Sequence, residues 1–433
     1  MNCRPHALVL LAAMVTLTAE SVAAQGGKGD KPTDLLSIAR SEAQREEAAL
    51  ASRVDQLLNE LKSSSDDTLA FIRKKVEELG AIGPAAIDPL LKAMDHKLTS
   101  SADVNAGINA SRAIAMIEGQ RAAAALTRLA REGGRYGRLN AVRSLGLRGD
   151  PTVLPVLRDL LKDEDQALVQ ASIEAIGTLG GKGADKVLAG FITATESQFV
   201  AAAITGLAHC GSSAQAGQVV NRLRAELKLT DASDAVIVAC MEFFRSFPSP
   251  DAVPDLGQAL MAGNASLARR FAAIAALEAT GQAAPSARKP VLSTLEAATR
   301  GGVRAVIRAA ALAMSELGDD SGVSAVTADL DVEISQNAKN YNARYQRAEI
   351  YLDFKKWQKA GNDFRDGLRL EKDPRDPDRV YLGMARAYAG LGRFADAAKY
   401  VSRLPEARIK TLPDEYVVFR EMAEDSRYGR VFR

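Results

Sequence analysis

A short pattern recurs along this chain and sets what it can fold into: an apolar residue, a small residue, two variable positions, then Gly. It is written Leu79-Gly80…Gly83, Leu145-Gly146…Gly149, Ile176-Gly177…Gly180 and Leu207-Ala208…Gly211. Looser copies stand at Ala115-Met116…Gly119, Phe244-Arg245…Pro248, Leu277-Glu278…Gly281 and Met314-Ser315…Gly318. Successive copies begin 36, 30, 31, 31, 37, 33 and 37 residues apart. That period belongs to a solenoid of stacked helix pairs, in which each unit buries its apolar face only against its neighbours. Such arrays work mostly by offering surface to partners.

The composition agrees. Hydrophobic residues make up 47% and aromatics only 5%, so the core is built from Ala, Leu, Val and Ile, which suits closely stacked helices. Lys and Arg number 56 against 54 Asp and Glu, a near balance that gives no overall electrostatic case for nucleic acid or an anionic membrane. The N-terminus reads as an export signal over residues 1–24: Arg4 supplies charge, Ala7 to Thr18 is mostly apolar, and Val22-Ala23-Ala24 offers small residues before a cut after Ala24. A retained membrane anchor is the rival, but the apolar run is far short of the ~20 residues a spanning helix needs. The mature chain is therefore expected to be soluble and periplasmic or secreted, with no transmembrane segment. It keeps Cys210 and Cys240. The repeat register offsets these two by seven residues along stacked helices, about 10 Å at 1.5 Å per residue. With an interhelix spacing of about 8–10 Å added, the pair exceeds the ~7 Å Cα limit of a disulfide. Two buried free thiols are predicted.

Residues 25–33 read as a flexible linker. A cap helix follows within 34–67, opened by Asp34, with Leu50, Val54, Leu57, Leu58 and Leu61 on one face. A dimerising coiled coil would need several heptads, and one short stripe does not sustain them. Residues 68–336 then hold about eight units of one logic. A first helix runs into the pattern, and its small residue lets the next helix approach. Gly149 ends the helix in left-handed geometry, Asp150-Pro151 opens the turn, and a second helix turns Leu157 and Leu161 inwards. Pro89, Pro155 and Pro254 each fall ten residues after their pattern's first position, where a missing N–H costs a starting helix nothing.

Carried by Leu145-Gly146-Leu147-Arg148-Gly149-Asp150-Pro151 with Val153, Leu154, Pro155 and Leu157, the array resembles the HEAT-repeat family, in particular short bacterial HEAT-like units. Leu79 to Leu91 and Asp251 to Leu256 repeat parts of the pattern. Beyond it, Ala348, Tyr351, Trp357, Ala360 and Phe364 recur as Ala385, Tyr388, Phe394, Ala397 and Val401, each 37 residues on. Residues 337–412 thus resemble two TPR units, with small residues at helix crossings and aromatics between them. Residues 413–433 read as a C-terminal capping helix. The resemblances imply an all-α, right-handed α–α superhelix of HEAT-like pairs continuing into TPR-like pairs.

No cluster in the chain is suited to catalysis or metal binding. The mature sequence has two histidines. His96 sits between Asp95 and Lys97, and His209 precedes Cys210, whose side chain projects about 100° away on a helix. Some HEAT-repeat proteins are iron hydroxylases that use His-Glu dipeptides, and the motif is absent; bilin lyases share the repeat, but fold likeness carries no activity across. There is no Cys-x-x-Cys, phosphate-binding loop or nucleophile elbow, and Asp319, Asp320, Asp329 and Asp331 lack calcium-loop spacing. No cofactor or metal is called for, and the chain reads as a non-enzyme.

Two surfaces stand out for partners. Lys92, Arg128 and Arg158 each lie thirteen residues after their pattern's start, on second helices that the HEAT likeness places on the concave side, forming a basic ladder for an acidic strip. Asn342, Arg344 and Arg347 offer a peptide-binding edge in the first TPR-like unit. The function expected is an exported, non-catalytic scaffold for proteins or peptides. An accessory or chaperone-like subunit of an envelope enzyme complex is the alternative, and an enzyme with an unrecognised site is the third reading.

Overall fold

The computed structural model describes residues 32–63, 69–95, 100–371 and 373–432, with side chains of the first helix given mainly from Ser41 onward. The expected signal peptide, most of the expected linker and His96 lie outside the described residues. Among those described every element is helical, and no helix is long and apolar enough to cross a membrane. The chain divides into two compact units, Met1–Gly211 and Ser212–Arg433.

The first unit opens with α1 (Pro32–Ser63), two residues earlier than Asp34 would have started it, with Pro at the first helical position. Val54, Leu57 and Leu58 are buried. Helix pairs follow: α2 (Leu69–Ala81) with α3 (Ile87–Met94), α4 (Ser101–Met116) with α5 (Gln120–Glu132), α6 (Arg135–Leu147) with α7 (Leu154–Leu160), α8 (Gln166–Leu179) with α9 (Ala184–Ala189), then α10 (Ser197–His209). The second unit holds α11 (Ala216–Glu226), α12 (Asp234–Ser246) with α13 (Val253–Met261), α14 (Leu267–Ala283) with α15 (Arg288–Thr299), and α16 (Arg304–Glu316) with α17 (Val323–Gln336). It continues through α18 (Tyr341–Asp353) with α19 (Trp357–Leu370) and α20 (Pro377–Gly390) with α21 (Phe394–Val401), and ends in α22 (Glu406–Glu415) and α23 (Arg420–Glu424).

The recurring pattern does two jobs here. Its glycine ends the helix: Gly149 sits at φ 67°, and the next carboxylate, Asp150, accepts the Thr152 N–H at 3.0 Å to start the following turn. Its small residue sets helix spacing. A Cβ on Gly177 would lie 2.4 Å from the Gly206 Cα, and one on Gly146 2.8 Å from the Ala175 Cα, so α6, α8 and α10 touch backbone to backbone. The apolar first position is the core: Ile114, Leu145, Ile176 and Leu207 are all fully buried. That row corrects one register. The second copy starts at Ile114 rather than Ala115, and an extra residue is taken up before Gly119. Leu160, not Leu161, is the buried partner of Leu157, because α7 is too short to carry its face one residue further.

A second correction concerns curvature within the first unit. Successive pattern-bearing helices meet backbone to backbone, as at Gly146–Ala175 and Gly177–Gly206, whereas successive second helices are bridged by long side chains, Arg121 to Asp88 and Arg131 to Asp159. A stack spaced more tightly on one side bends towards that side. The pattern helices α4, α6, α8 and α10 therefore line the concave side here, and the second helices the open side.

In the second unit, Phe354 packs on Ala311 and Val323, joining α16 and α17 to the pairs after them. Ala348, Ala360, Phe364, Ala385, Ala397 and Val401 are fully buried, and aromatic rings seat on glycines: Gly367 faces Tyr345, Gly383 faces Phe364 and Gly390 faces Trp357. The expected final helix over 413–433 is not formed. The last long helix runs from Glu406 to Glu415 with Pro413 inside it, and Tyr416 turns extended. Pro413 has no N–H to extend the ladder, so the tail proceeds in short helical pieces. These still close the end, with Phe419, Met422 and Phe432 packed against Ala385, Val401 and Leu412.

Candidate partner-binding surface

Lys92 on α3, Arg128 on α5 and Arg158 on α7 are exposed, and none has a carboxylate within ion-pair distance among the described residues. The helices that carry them are tied across the stack by neighbours instead, Arg121 to Asp88 at 3.2 Å and Arg131 to Asp159 at 3.4 Å. The three cations thus occupy the open row, not the concave side where the HEAT likeness had put them. The reason is phase: the helix read as second in each unit is the one more widely spaced from its equivalents.

The concave side carries a different set of side chains. A groove of about 360 Å³ crosses α4, α6 and α8, lined in part by Ile108, Arg112, Arg143, Leu147, Glu174 and Thr178. The register makes this a grid with a 31-residue step. Arg112, Arg143, Glu174 and Thr205 stand two residues before the buried apolar position; Met116, Leu147, Thr178 and His209 stand two after it. Met116 and Leu147 are each 51% exposed; Leu147 lines the groove, while Met116 lies over Gly80 of α2. Arg112 donates to Asn109 Oδ1 at 3.3 Å, and Arg143 has no ion-pair or hydrogen-bond partner among the described residues.

The floor beneath this grid is hydrogen-bonded from helix to helix. Ser144 Oγ donates to a carbonyl, with Ser111 O and Asn140 O both at 2.9 Å, and Asn140 Nδ2 donates to Met94 O at 3.2 Å. Arg148 reaches back to the end of α4, where Ile117 O accepts at 2.5 Å and Gly119 O at 3.1 Å. A guanidinium there meets the negative end of the helix dipole. A second copy started at Ala115 puts Arg112 one step out of line, which hides the Arg112–Arg143 row in the sequence.

The expected edge in α18 is corrected. Arg347 is spent internally: its Nε and Nη2 each donate to Asp363 at 2.7 Å, and Nη1 donates to Asp331 at 2.6 Å. Asp363 and Asp331 hold the Arg347 pKa well above its ordinary value. Arg344 donates to Ala338 O at 3.2 Å and lies 3.9 Å from Asp363. Asp363 is almost wholly buried, and a buried carboxylate demands cations, which is why Arg347 and Arg344 turn inwards to it instead of forming a free edge. Asn342 alone of the three is exposed and free to meet a partner.

The chemistry-bearing residues are dispersed. His209 is exposed at the end of α10, while the Cys210 thiol points to Gly177 O at 3.9 Å and burial pushes it up from its ordinary value. Burial pushes the Cys240 thiol up to about 12, and both cysteines are free. Asp320 pairs with Lys356, Asp329 with Arg304 and Asp331 with Arg347, while Asp319 Oδ1 accepts the Ser321 N–H at 2.9 Å. Among the described residues no group of three or more His, Cys, Asp or Glu is placed to hold a metal.

Residues 132–208 match the family described as HEAT repeats. No curated protein sequence matches the chain. Among solved structures, a chain of the Kap95:Nup1 complex is similar at 13% identity with a TM-score of 0.46, covering 95% of this chain and 61% of that one. Importin beta is similar at 14% identity and TM-score 0.40, covering 89% and 62%. Human deoxyhypusine hydroxylase is similar at 17% identity and TM-score 0.26, covering 63% and 98%.

Proposed function

We propose that this chain, which carries HEAT repeats over residues 132–208, is a non-catalytic scaffold that is exported and binds one or more proteins in the cell envelope or outside it. The observation that carries the reading is the concave face of the first unit. There two exposed arginines line one groove with Ile108 and Leu147, over a floor hydrogen-bonded from helix to helix. HEAT arrays are built to present such faces, and the side chains that would do chemistry are scattered or buried. The Cys210 and Cys240 thiols, both raised by burial, are poor nucleophiles at neutral pH. Export rests on the N-terminal sequence, Arg4, the apolar run and Val22-Ala23-Ala24. The helix pairs after Asn340 are read as TPR-like, a second surface on the same scaffold, and two surfaces raise avidity when both are engaged.

The test is a photo-crosslinking amino acid at Leu147 in cells, with a second at Leu229 in the other unit as control. The reading expects a discrete crosslinked protein from Leu147, found in the envelope or culture fluid, and a mature N-terminus at Gln25. A full-length cytoplasmic chain overturns export, and no crosslinked protein from Leu147 overturns the binding face.

A further inference from the structure

The two arginines of the concave groove stand free of carboxylates on a surface that also holds apolar side chains. In the same unit Arg53, Arg121, Arg131, Arg135 and Arg138 each hold a carboxylate within ion-pair distance, whereas Arg112 and Arg143 hold none, like Arg128 and Arg158 on the open row. They line the groove with Ile108 and Leu147, and the same register becomes Glu174 and Thr178 on α8, then Thr205 and His209 on α10. The cationic and apolar character is thus confined to α4 and α6, with an acidic boundary.

Resting on the scaffold reading above, we propose that this groove binds an acidic segment of a partner protein, with two carboxylates on Arg112 and Arg143 and a large apolar side chain against Leu147 and Ile108. Guanidinium groups donate to carboxylates in bidentate fashion, and the pair gains where an apolar wall displaces water. Helices packed side by side place the two arginines about 8–10 Å apart, which an extended chain spans in about three residues. A basic segment would be repelled. A nucleic acid or other polyanion would find two cations only, then Glu174 across its path, in a chain of net charge +2. Glu174 also sets direction, since the acidic part of the segment must lie over α4 and α6.

The probe is a fluorescein-labelled twelve-residue peptide, Asp-Leu-Glu repeated four times, titrated by anisotropy with the full mature chain. Saturable binding that weakens with added salt is expected. It should weaken about tenfold or more in Arg112→Glu/Arg143→Glu, a loss above 1.4 kcal/mol, and several-fold in Leu147→Ser. The triple variant Lys92→Glu/Arg128→Glu/Arg158→Glu, on the open row, should change it less than twofold. Circular dichroism and thermal melting confirm that each variant is folded. No binding to the wild-type chain, equal binding by the Arg112/Arg143 variant, or loss in the triple variant overturns the proposal. If the peptide fails while Leu147 still crosslinks a protein in cells, the acidic chemistry is wrong and the scaffold reading stands; if neither occurs, both fall.

Discussion

At the scale of single residues, Asp363 decides more than its neighbours do. It is 5% exposed and takes both donors of the Arg347 fork, while Arg347 also bridges to Asp331. Removing the cation leaves a carboxylate stranded away from water. Arg347→Met is therefore expected to destabilise the second unit by about 3 kcal/mol or more, read by urea unfolding. The double variant Arg347→Met/Asp363→Leu should recover much of that loss, because no charge is then buried alone. If the single variant unfolds like the wild type, the pair does not hold α18 on α19. The thiols give a second test. Cys210 is partly exposed and Cys240 is fully buried, and burial has raised both. Iodoacetamide at pH 8 should label Cys210 slowly and Cys240 only after unfolding. Early labelling of Cys240, followed by peptide mass mapping, would contradict its burial.

At the scale of elements, the sequence pattern was legible because its physics is local and repeated. Glycine at a helix end and apolar residues at the first position are demands made by each unit on itself, so they recur at readable intervals. What resisted reading were features that depend on a neighbour. The extra residue before Gly119 shifted one copy by a position, and that slip hid the alignment of Arg112 with Arg143. The arginines of α18 looked like a free edge because Asp363, sixteen residues after Arg347, cannot be paired with it by helical periodicity. Which row of helices lies inside the curve also depends on relative spacing, and spacing is set by glycines meeting glycines. Gly177 and Gly206 carry that meeting in α8 and α10. Gly177→Ala puts a methyl 2.4 Å from a backbone carbon and should cost about 1–3 kcal/mol, since two helices must separate to admit it. Gly217→Ala, in α11 with nothing within 4 Å, should be neutral or slightly stabilising. Equal thermal shifts for the two variants would show that helix contact does not govern the spacing.

At the scale of the whole molecule, titration should limit the fold from both sides, and the signs follow from which groups are shifted. Carboxylates in the turns between helices are held below their ordinary value. Asp163 is lowered first by the Asp165 N–H and then by Arg138, Asp165 by Arg135, Asp150 by Thr152, and Asp320 by Lys356. A carboxyl lowered on folding contributes stability that is present above the unfolded value of about 3.9 and is lost as pH falls through the folded value. The alkaline side has the opposite sign. Burial raises the Tyr345 hydroxyl from 10.0 to about 12 and the Cys240 thiol from 9.0 to about 12. Their contribution is complete below the unfolded values and fades as pH climbs through 9 to 12. The melting temperature should therefore be flat between about pH 5 and 8, fall below pH 4, and fall again above pH 9. Asp163→Asn/Asp165→Asn should shallow the acid limb while leaving the alkaline limb in place, and Cys240→Ala should shallow only the alkaline one. Both groups lie in turns or cores that join successive helix pairs, so each limb reports the coupling between units on which a solenoid depends. A variant that moves the wrong limb would reassign the groups that set it.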